Sequence, residues 1–387
     1  MACRLKFSIA VRVLLPAAGL LIASRAAPPE PIALDSPRDF QVFQRQSKTR
    51  GDIVVSGRAL VECERAEVRV TGSSPFGTLS ARWEQLTLDR QSGEFRGQLR
   101  IAAGGWYGVE LRLLRNSKTM ANLEVPHVGV GEVFVVAGQS NATNYGEERQ
   151  QTQSGMVAAW SADGWRLAND PQPGVQDGSK NGSFIPAFGD ALYEKYRVPV
   201  GVAAVGHGST SVRQWLPRGG HFQTPPTMGK FVHQVGPDDW ECDGTLFDGM
   251  MKPILQFGRG GFRALLWHQG ESDAHQKPEF NITADEYARL LRRIISASRQ
   301  QAGWDFPWFV AQVSYHSPRD PFCEPIREAQ KSLWDGVIAL PGPDTDQLTG
   351  ADRQNGGKGV HFSSLGLQAH GRLWAEKVEA YLDTVLH

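Results

Sequence analysis

The chain has 387 residues, of which 41% are hydrophobic and 21% are charged, an ordinary composition for a globular protein with one large domain or two smaller ones. Its 41 basic and 41 acidic residues give a formal net charge of zero, which argues against a nucleic-acid partner.

The first segment is typical of an export signal. Arg4 and Lys6 precede an apolar run from about Val13 to Ala23, and small residues follow. The run is shorter than the ~20 residues of a membrane span, although an uncleaved anchor is an alternative. We expect residues 1–27 to be removed. Loss of their four basic residues would leave 37 basic and 41 acidic residues in a protein that is periplasmic or secreted, without stable membrane insertion.

Three cysteines follow this segment, namely Cys63, Cys242 and Cys323. An odd number cannot all pair within one chain. Cys242 and Cys323 are candidates for a disulfide in an exported protein. Because the sequence contains no Cys-x-x-Cys pair, a structural zinc site is not expected.

Residues 33–127 contain short runs of alternating polar and apolar residues, such as "DIVVSGRAL", "RAEVRVTG" and "WYGVELRLLRN". Gly, Ser, Asn and Asp separate them. This spacing predicts an antiparallel β-sandwich module. The module contains no cluster of serine, histidine and acid, so we expect a packing or substrate-orienting role.

From residue 128 the pattern changes. Near-continuous apolar runs at 132–137, 198–205, 262–267 and 308–314 predict strands that are covered on both faces. Segments 184–196, 283–300 and 364–386 predict helices, and Thr283 and Glu286 have the spacing of a capping box. Strands that alternate with helices predict an α/β domain over residues 128–387, with a parallel sheet between two helical layers.

Polar residues and glycines follow each predicted strand. The segments are "GQSN" from Gly138, "GHGST" from Gly206, "HQGESD" from His268, and Tyr315-His316. Ligands of open parallel sheets bind beyond the carboxyl ends of the strands. Turns also favour glycine and polar residues, so each segment alone is weak evidence. Together they predict a site that is built from several loops.

A hydrolytic site would use Ser140 as nucleophile and His361 as its base, because a serine hydroxyl needs a base to accept its proton. The base in turn needs a carboxylate, and spacing does not choose among the candidates, which are Glu271, Asp273, Asp344, Asp346 and Asp352. The developing oxyanion needs preset donors. The backbone N–H groups of Ser140 and Gly208 and the side-chain amide of Gln269 are suitable.

Other motifs do not fit. The Gly-x-Ser-x-Gly elbow is absent. His268, Glu271, Asp273 and His275 do not have the spacing of a His-Glu-x-x-His zinc helix, and we predict neither a metal nor an organic cofactor.

The blocks "VVAGQSN", "GHGSTSVRQW", "LLWHQGESDA" and "GVHFSSLGLQAHGRLWA" resemble, in this order, those of the SGNH hydrolase superfamily. They are most similar to its sialate O-acetylesterase and acetyl xylan esterase branch, and the resemblance covers about two thirds of the chain. It implies a flavodoxin-like three-layer fold. It also implies that Ser140, His361 and Glu271 are catalytic and that Gly208 and Gln269 bind the oxyanion.

Two positions depart from the superfamily pattern. Lys358 stands three residues before His361, where many members have an aspartate. This departure favours Glu271 as the acid and leaves Asp352 in reserve. Ser209 stands where members often have glycine, and its side chain would narrow the cleft to suit a small acyl group such as acetyl.

We therefore predict an exported carbohydrate O-acetylesterase that acts on acetylated glycans of the sialate or xylan type. A general short-chain esterase and a non-catalytic carbohydrate-binding protein are the alternatives.

Arg213 is a candidate partner for a sialate carboxylate, although a solvated arginine is the simpler interpretation. Four tryptophans in predicted loops are candidates for stacking on sugar rings, and packing in the core is equally expected. They are Trp160, Trp165, Trp215 and Trp240. The sequence does not indicate an oligomeric state.

Overall fold

The computed structural model describes residues 30–386. The predicted signal peptide lies outside this range. Within it, no helix is both long and apolar enough to cross a membrane.

The N-terminal strands form an antiparallel ladder in the order β1-β3-β6-β5-β4-β7-β8. Alternate residues of these strands are buried, as in β3, where Ile53 and Val55 are inaccessible to solvent. The strands of the ladder are β1 (Ile32–Ser36), β3 (Arg50–Ala59), β4 (Arg65–Thr71), β5 (Glu84–Leu88), β6 (Glu94–Ala102), β7 (Gly104–Arg115) and β8 (Lys118–Gly138). The short strand β2 (Val42–Gln44) lies outside the ladder and pairs with β8 in parallel. The antiparallel pairing agrees with the alternating sequence pattern, whereas the division into two packed sheets stays a prediction.

Strand β8 belongs to both parts of the chain. Its first part pairs with β7 in antiparallel fashion, and its second part pairs with β11 (Val200–Ala204) and β15 (Ala264–His268) in parallel. Its side chains change from alternating burial to complete burial at the same point, near residue 128. The predicted boundary between residues 127 and 128 therefore lies inside one continuous strand.

The C-terminal part contains a parallel sheet in the order β9-β11-β8-β15-β16-β17, with β10 antiparallel at the edge. The remaining strands are β9 (Val157–Ser161), β10 (Gly164–Leu167), β16 (Trp308–Gln312) and β17 (Leu340–Asp344). A separate small sheet, which the sequence reasoning missed, consists of β12 (Gly220–Phe222), β13 (Val232–Gly236) and β14 (Asp239–Cys242). The mixed sheet and its parallel strands confirm the predicted α/β class.

Helices cover both faces of this sheet. Phe134 and Val136 of β8 point into a core with α1 (Ile185–Tyr196) and α6 (Ser364–Val385). Val133 and Val135 point into the opposite core, with the remaining long helices. These are α2 (Thr245–Phe257), α3 (Ala284–Ala302) and α4 (Glu324–Lys331), and a short segment, α5 (Gln354–Gly357), precedes α6. Runs of apolar residues that are buried on both faces explain why the central strands lack polar alternation.

Helix termini occur where the capping residues predict them. The Thr283 side chain accepts a hydrogen bond from the Glu286 N–H at 3.1 Å, and Gly303 ends α3 in the left-handed conformation. The Ser363 side chain accepts from the Gly366 N–H at 3.1 Å and begins α6. The predicted helices at 184–196, 283–300 and 364–386 are therefore confirmed within two residues.

Candidate active site

Strand β8 ends at a glycine because two strands meet closely there. Gly138 has φ of +133°, and a Cβ at this position would lie 2.0 Å from the backbone oxygen of His268 on the neighbouring strand β15. Only glycine tolerates both this positive φ and this close approach of the neighbouring backbone. The chain then turns sharply, and the short 3₁₀ segment Ser140–Ala142 follows. Ser140 is thereby placed at the carboxyl end of a central strand.

Ser140, Glu271 and His361 line one cleft of about 400 Å³. The other lining residues include Ser209, Ser211, Gln276 and His316 from the loops after β11, β15 and β16, together with three residues between β12 and β13, namely Pro226, Thr227 and Met228. A larger groove of about 630 Å³ lies between the N-terminal strands and the β9–β10 hairpin, but it contains none of the predicted catalytic residues. The positions of the predicted catalytic residues therefore identify the smaller cleft as the candidate active site.

The His361 ring is held by two neighbours. Its Nδ1 atom lies 3.0 Å from Nε2 of Gln354, and its ring stacks on that of Tyr145 with centroids 5.1 Å apart. Among residues 30–386, no carboxylate oxygen lies within 4.0 Å of a His361 ring nitrogen. Burial lowers the pKa of His361 to about 4, and the charge of Arg353 adds to this effect. The imidazole is therefore neutral at ordinary pH and able to accept a proton.

Glu271 is buried beside the nucleophile turn. Its Oε1 accepts a hydrogen bond from the Asn141 side chain at 2.8 Å, whereas Oε2 has no partner within the described range. The same Asn141 amide donates to the Val360 carbonyl at 3.3 Å. Burial raises the pKa of Glu271 to about 7. Through Asn141, the carboxyl group ties the turn that carries Ser140 to the residue before His361.

Arg353 anchors the loop that carries His361. Its guanidinium is buried and lies between the rings of Tyr315, at 3.8 Å, and Phe362, at 4.2 Å. It donates to the carbonyl oxygens of Thr345, Leu348 and Val360 at 2.9, 2.6 and 2.7 Å. Burial lowers the pKa of this arginine to about 10, against the opposing charges of Glu271 and Asp346. The positive charge of Arg353 is the second cause of the low pKa of His361.

Two of the predicted oxyanion donors have other partners in the structure. The Gly208 N–H donates to Asp177 Oδ2 at 2.6 Å. The Gln269 amide nitrogen is buried and donates to Asp273 Oδ2 at 2.7 Å and to the Thr210 carbonyl at 3.1 Å. Because of these acceptors, neither donor is free for an oxyanion in this geometry. Sequence spacing did not reveal the competing acceptors. The Ser140 N–H, in contrast, has no acceptor within residues 30–386.

Other acids that the sequence left open serve structural contacts. Asp273 accepts from Ser211 Oγ at 2.6 Å and from Arg213 at 3.1 Å. Asp344 and Asp346 both bind Arg327 at 2.8 Å. Asp352 lies at the start of the histidine loop, but its carboxylate does not contact His361. Within the described chain, Glu271 is the one of these acids that lines the cleft.

The structure corrects the role suggested for Arg213 and shows where the four tryptophans lie. Arg213 is completely buried and donates to Asp273 and to backbone carbonyls, so it is neither solvated nor available to a ligand. Trp160 lies in β9 and Trp215 in a short 3₁₀ segment, and both are buried. Trp165 and Trp240 lie in strands β10 and β14. None of these four tryptophans lines the cleft that contains Ser140, whereas Trp160 and Trp165 line the larger groove.

The cysteines do not form the suggested disulfide. Cys63, Cys242 and Cys323 are free thiols in the structure. Cys242 is buried and donates to the carbonyl oxygens of Gln214 and Leu216 at 3.3 and 3.2 Å, and burial raises its pKa to about 11.

Within the described residues, no group of three or more His, Cys, Asp or Glu side chains is arranged to hold a metal ion.

Sequence reasoning missed four residues that shape this site, namely Asn141, Tyr145, Gln354 and Arg353. The contacts of Asn141 join segments that are far apart in sequence, since Asn141 and Glu271 are 130 residues apart. Gln354 and Arg353 contact residues only seven positions away, but these contacts depend on how the loop folds. The one local signal is the glycine-rich stretch "QNGGKGVH", which indicates a tight loop before the histidine.

The α/β fold and the cleft that contains Ser140, Glu271 and His361 agree with a carboxylic ester hydrolase, the class that the family match at residues 130–380 shows. The chain belongs to the carbohydrate esterase family of sialic acid-specific acetylesterases, whose model matches residues 130–380. A comparison with curated proteins found no match.

The comparison with solved structures found several matching chains. A carbohydrate acetylesterase from Xanthomonas citri has 16% identity and a TM-score of 0.50, with 88% of this chain and 73% of that chain covered. An Arabidopsis thaliana protein has 18% identity and a TM-score of 0.45, with 66% and 98% covered. A family 2 carbohydrate esterase with a carbohydrate-binding domain, from Corynascus (Myceliophthora fergusii), has 12% identity and a TM-score of 0.39, with 87% and 92% covered. At 16% identity, the likeness to the Xanthomonas citri structure concerns the fold alone.

Proposed function

We propose that the protein is an exported serine esterase that removes O-acetyl groups from carbohydrates through an acetyl-enzyme. The observation that supports it most directly is the position of Ser140 at the end of β8, in the same cleft as His361 and Glu271. Family membership supports an acetylated carbohydrate as substrate. Export rests on the N-terminal sequence pattern alone.

In the proposed reaction, Ser140 Oγ attacks the acetyl carbonyl while His361 Nε2 takes the hydroxyl proton. The same imidazolium then gives this proton to the departing sugar oxygen, which leaves as an alcohol. Water attacks the acetyl-enzyme by the same route, releases acetate and regenerates Ser140. The Ser140 N–H, without another acceptor in the described chain, is the backbone donor that is ready for the oxyanion.

The charge of the cleft favours an uncharged sugar over sialate. Among the described residues, its lining contains the carboxyl group of Glu271 but no lysine or arginine. A sugar carboxylate would therefore find no cation there, and Arg213 is buried elsewhere. Ser209 lines the cleft with φ of +59°. A serine side chain at this position takes more room than a glycine, which supports a small acyl group.

Acetate release from acetylated xylan and from an O-acetylated sialoside, measured side by side, tests this proposal. We expect release from xylan to be faster, and we expect Ser140→Ala to lower both activities by about 10⁴-fold or more. Release that persists in the variant would contradict the assignment of the nucleophile. Faster release from the sialoside would contradict the argument from charge. Tight binding of either glycan without any turnover would indicate a binding protein.

The pH profile of kcat/KM is expected to have its acidic limb near pH 4. The imidazole accepts a proton only when it is neutral, and the pKa of His361 is lowered to about 4 from its ordinary value of 6.5. Activity should therefore persist at pH 5, where a solvated histidine would be charged. A limb near pH 7 would instead show that the ionised form of Glu271, whose pKa is raised to about 7, is required. Assays with an activated acetate ester between about pH 3 and pH 8, with folding checked at each pH, distinguish these outcomes.

A further inference from the structure

Gln354 occupies the side of the His361 ring at which a carboxylate stands in a serine–histidine–acid triad. Its Nε2 atom lies 3.0 Å from Nδ1 of His361. The position three residues before the histidine is Lys358, and within residues 30–386 no carboxylate oxygen lies within 4.0 Å of the ring nitrogens. An amide, and not an acid, is thus the polar group that meets Nδ1.

The loop between these two residues is built to hold this contact. Arg353 and Phe362 form an isolated antiparallel bridge, and the Gln354 N–H donates to the His361 carbonyl at 3.0 Å. Three successive residues with left-handed φ angles, Asn355, Gly356 and Gly357, then turn the chain. Backbone pairing at the base of the loop therefore sets both side chains next to each other.

Gly359 leaves the space that the Gln354 side chain uses. A Cβ at Gly359 would lie 2.3 Å from Cγ of Gln354 and 3.0 Å from its Nε2. Its own N–H donates to the Gln354 carbonyl at 3.0 Å, so the backbone cannot easily move away. A glycine at this position lets the glutamine lie flat along the loop and reach the imidazole.

The proposed reaction determines which residue donates the hydrogen bond between Gln354 and His361. Within the described residues, the Gln354 side chain makes no other hydrogen bond, so its amide is free to turn and present either Oε1 or Nε2 to the ring. To receive the Ser140 proton at Nε2, His361 must carry its own proton on Nδ1. In that tautomer, Nδ1–H donates to Oε1 of Gln354.

We propose that Gln354 is the positioning residue of His361 and sets its tautomer in place of a carboxylate. This inference rests on the proposed function, since it needs His361 as the base. The amide orients the ring but contributes no charge to stabilise the imidazolium. Glu271 then acts on the site through Asn141, to which it is hydrogen-bonded at 2.8 Å.

Several titratable groups surround His361 and contribute to any pH profile of the site. Arg353 lies behind the histidine loop, Tyr145 stacks on the ring, and Glu271 and His316 line the same cleft. For this reason the direct test is the tautomer itself, read by ¹⁵N NMR of the ring nitrogens in the Ser140→Ala protein at neutral pH. The His361→Gln variant assigns the signal by its loss.

We expect the Nδ1–H tautomer when Gln354 is present and a mixture in Gln354→Leu. A dominant Nε2–H tautomer, or a tautomer that is unchanged in Gln354→Leu, would overturn the inference. This measurement needs no turnover, so its failure is distinct from failure of the proposed esterase activity.

Kinetics of three variants give the second test. Gln354→Leu should lower kcat by about 10²-fold with little change in KM, because the reacting atoms are misplaced. Gly359→Ala keeps the glutamine but displaces it and should lower kcat in the same way. Gln354→Glu should retain activity and move the acidic limb upward by about 1 pH unit or more, because a carboxylate beside Nδ1 favours the imidazolium. A Gln354→Glu variant whose limb does not move, with folding shown to be intact, would contradict contact with the reacting histidine.

Discussion

Alanine at Ser140 or at His361 is expected to lower kcat by about 10⁴-fold or more, and the double variant is expected to lose no more than the worse single variant. The two side chains act as one unit, because the serine is inert without the base and the base has no task without the serine. Both line the same cleft although they are far apart in the sequence. The residual rate should come from substrate binding and backbone donors alone.

Matched controls separate this effect from general damage. Ser296→Ala removes an exposed serine from α3, and His233→Ala removes an exposed histidine from β13. Both should keep full activity. Each catalytic variant should also melt close to the wild-type temperature, because neither side chain makes a hydrogen bond on which the core depends. Losses that multiply in the double variant would show that the two residues act independently, which contradicts the proposed mechanism.

Much of the fold could be predicted because its signals are local. Apolar runs without polar alternation marked the buried strands β8, β11, β15 and β16, and capping residues such as Thr283 marked the helix ends. The small sheet of β12 to β14 was missed, since its short polar strands carry no comparable pattern. The position of Ser140 could also be predicted, because a glycine and polar residues at the end of a buried strand indicate a functional turn.

The sequence could not predict which hydrogen-bond donors and acceptors pair with each other within the site. Gly208 and Gln269 have the right chemistry for oxyanion donors, but their hydrogens are taken by Asp177 and Asp273 in the structure. Which acceptor meets a donor depends on distances that only the folded chain establishes. Arg213 is a further case, since its burial against Asp273 leaves no trace in the local sequence.

The contacts around Asn141 connect the parts of the site. Its side chain binds Glu271 on the loop after β15 and the Val360 carbonyl on the histidine loop, while the preceding residue is Ser140. Arg353 binds the same Val360 carbonyl from the other side at 2.7 Å. A single backbone oxygen thus links the nucleophile turn to the buried cation, and the spacing of Ser140 and His361 depends on both.

Replacing Glu132 with glutamine is expected to reduce the free energy of unfolding by about 3–5 kcal/mol. Glu132 lies at the point where β8 passes from the antiparallel ladder into the parallel sheet, and its side chain is completely buried. It binds Arg45 at 2.6 Å and Arg263 at 2.7 Å, which are also buried or nearly so. Removal of this one negative charge leaves two guanidinium groups in the interior without a counter-charge.

The exposed ion pair between Arg58 and Glu94, at 2.9 Å, supplies the control. Its side chains are 54% and 61% exposed, so Glu94→Gln should change stability by less than about 1 kcal/mol. Urea unfolding of both variants, followed by far-UV circular dichroism and tryptophan fluorescence, measures the difference. Because β8 is shared by the two parts of the chain, we expect Glu132→Gln to shift both signals together in one transition. An early transition that is confined to one signal would show that the antiparallel strands unfold independently of the esterase sheet, and that β8 couples the two parts less tightly than its continuous hydrogen bonding indicates.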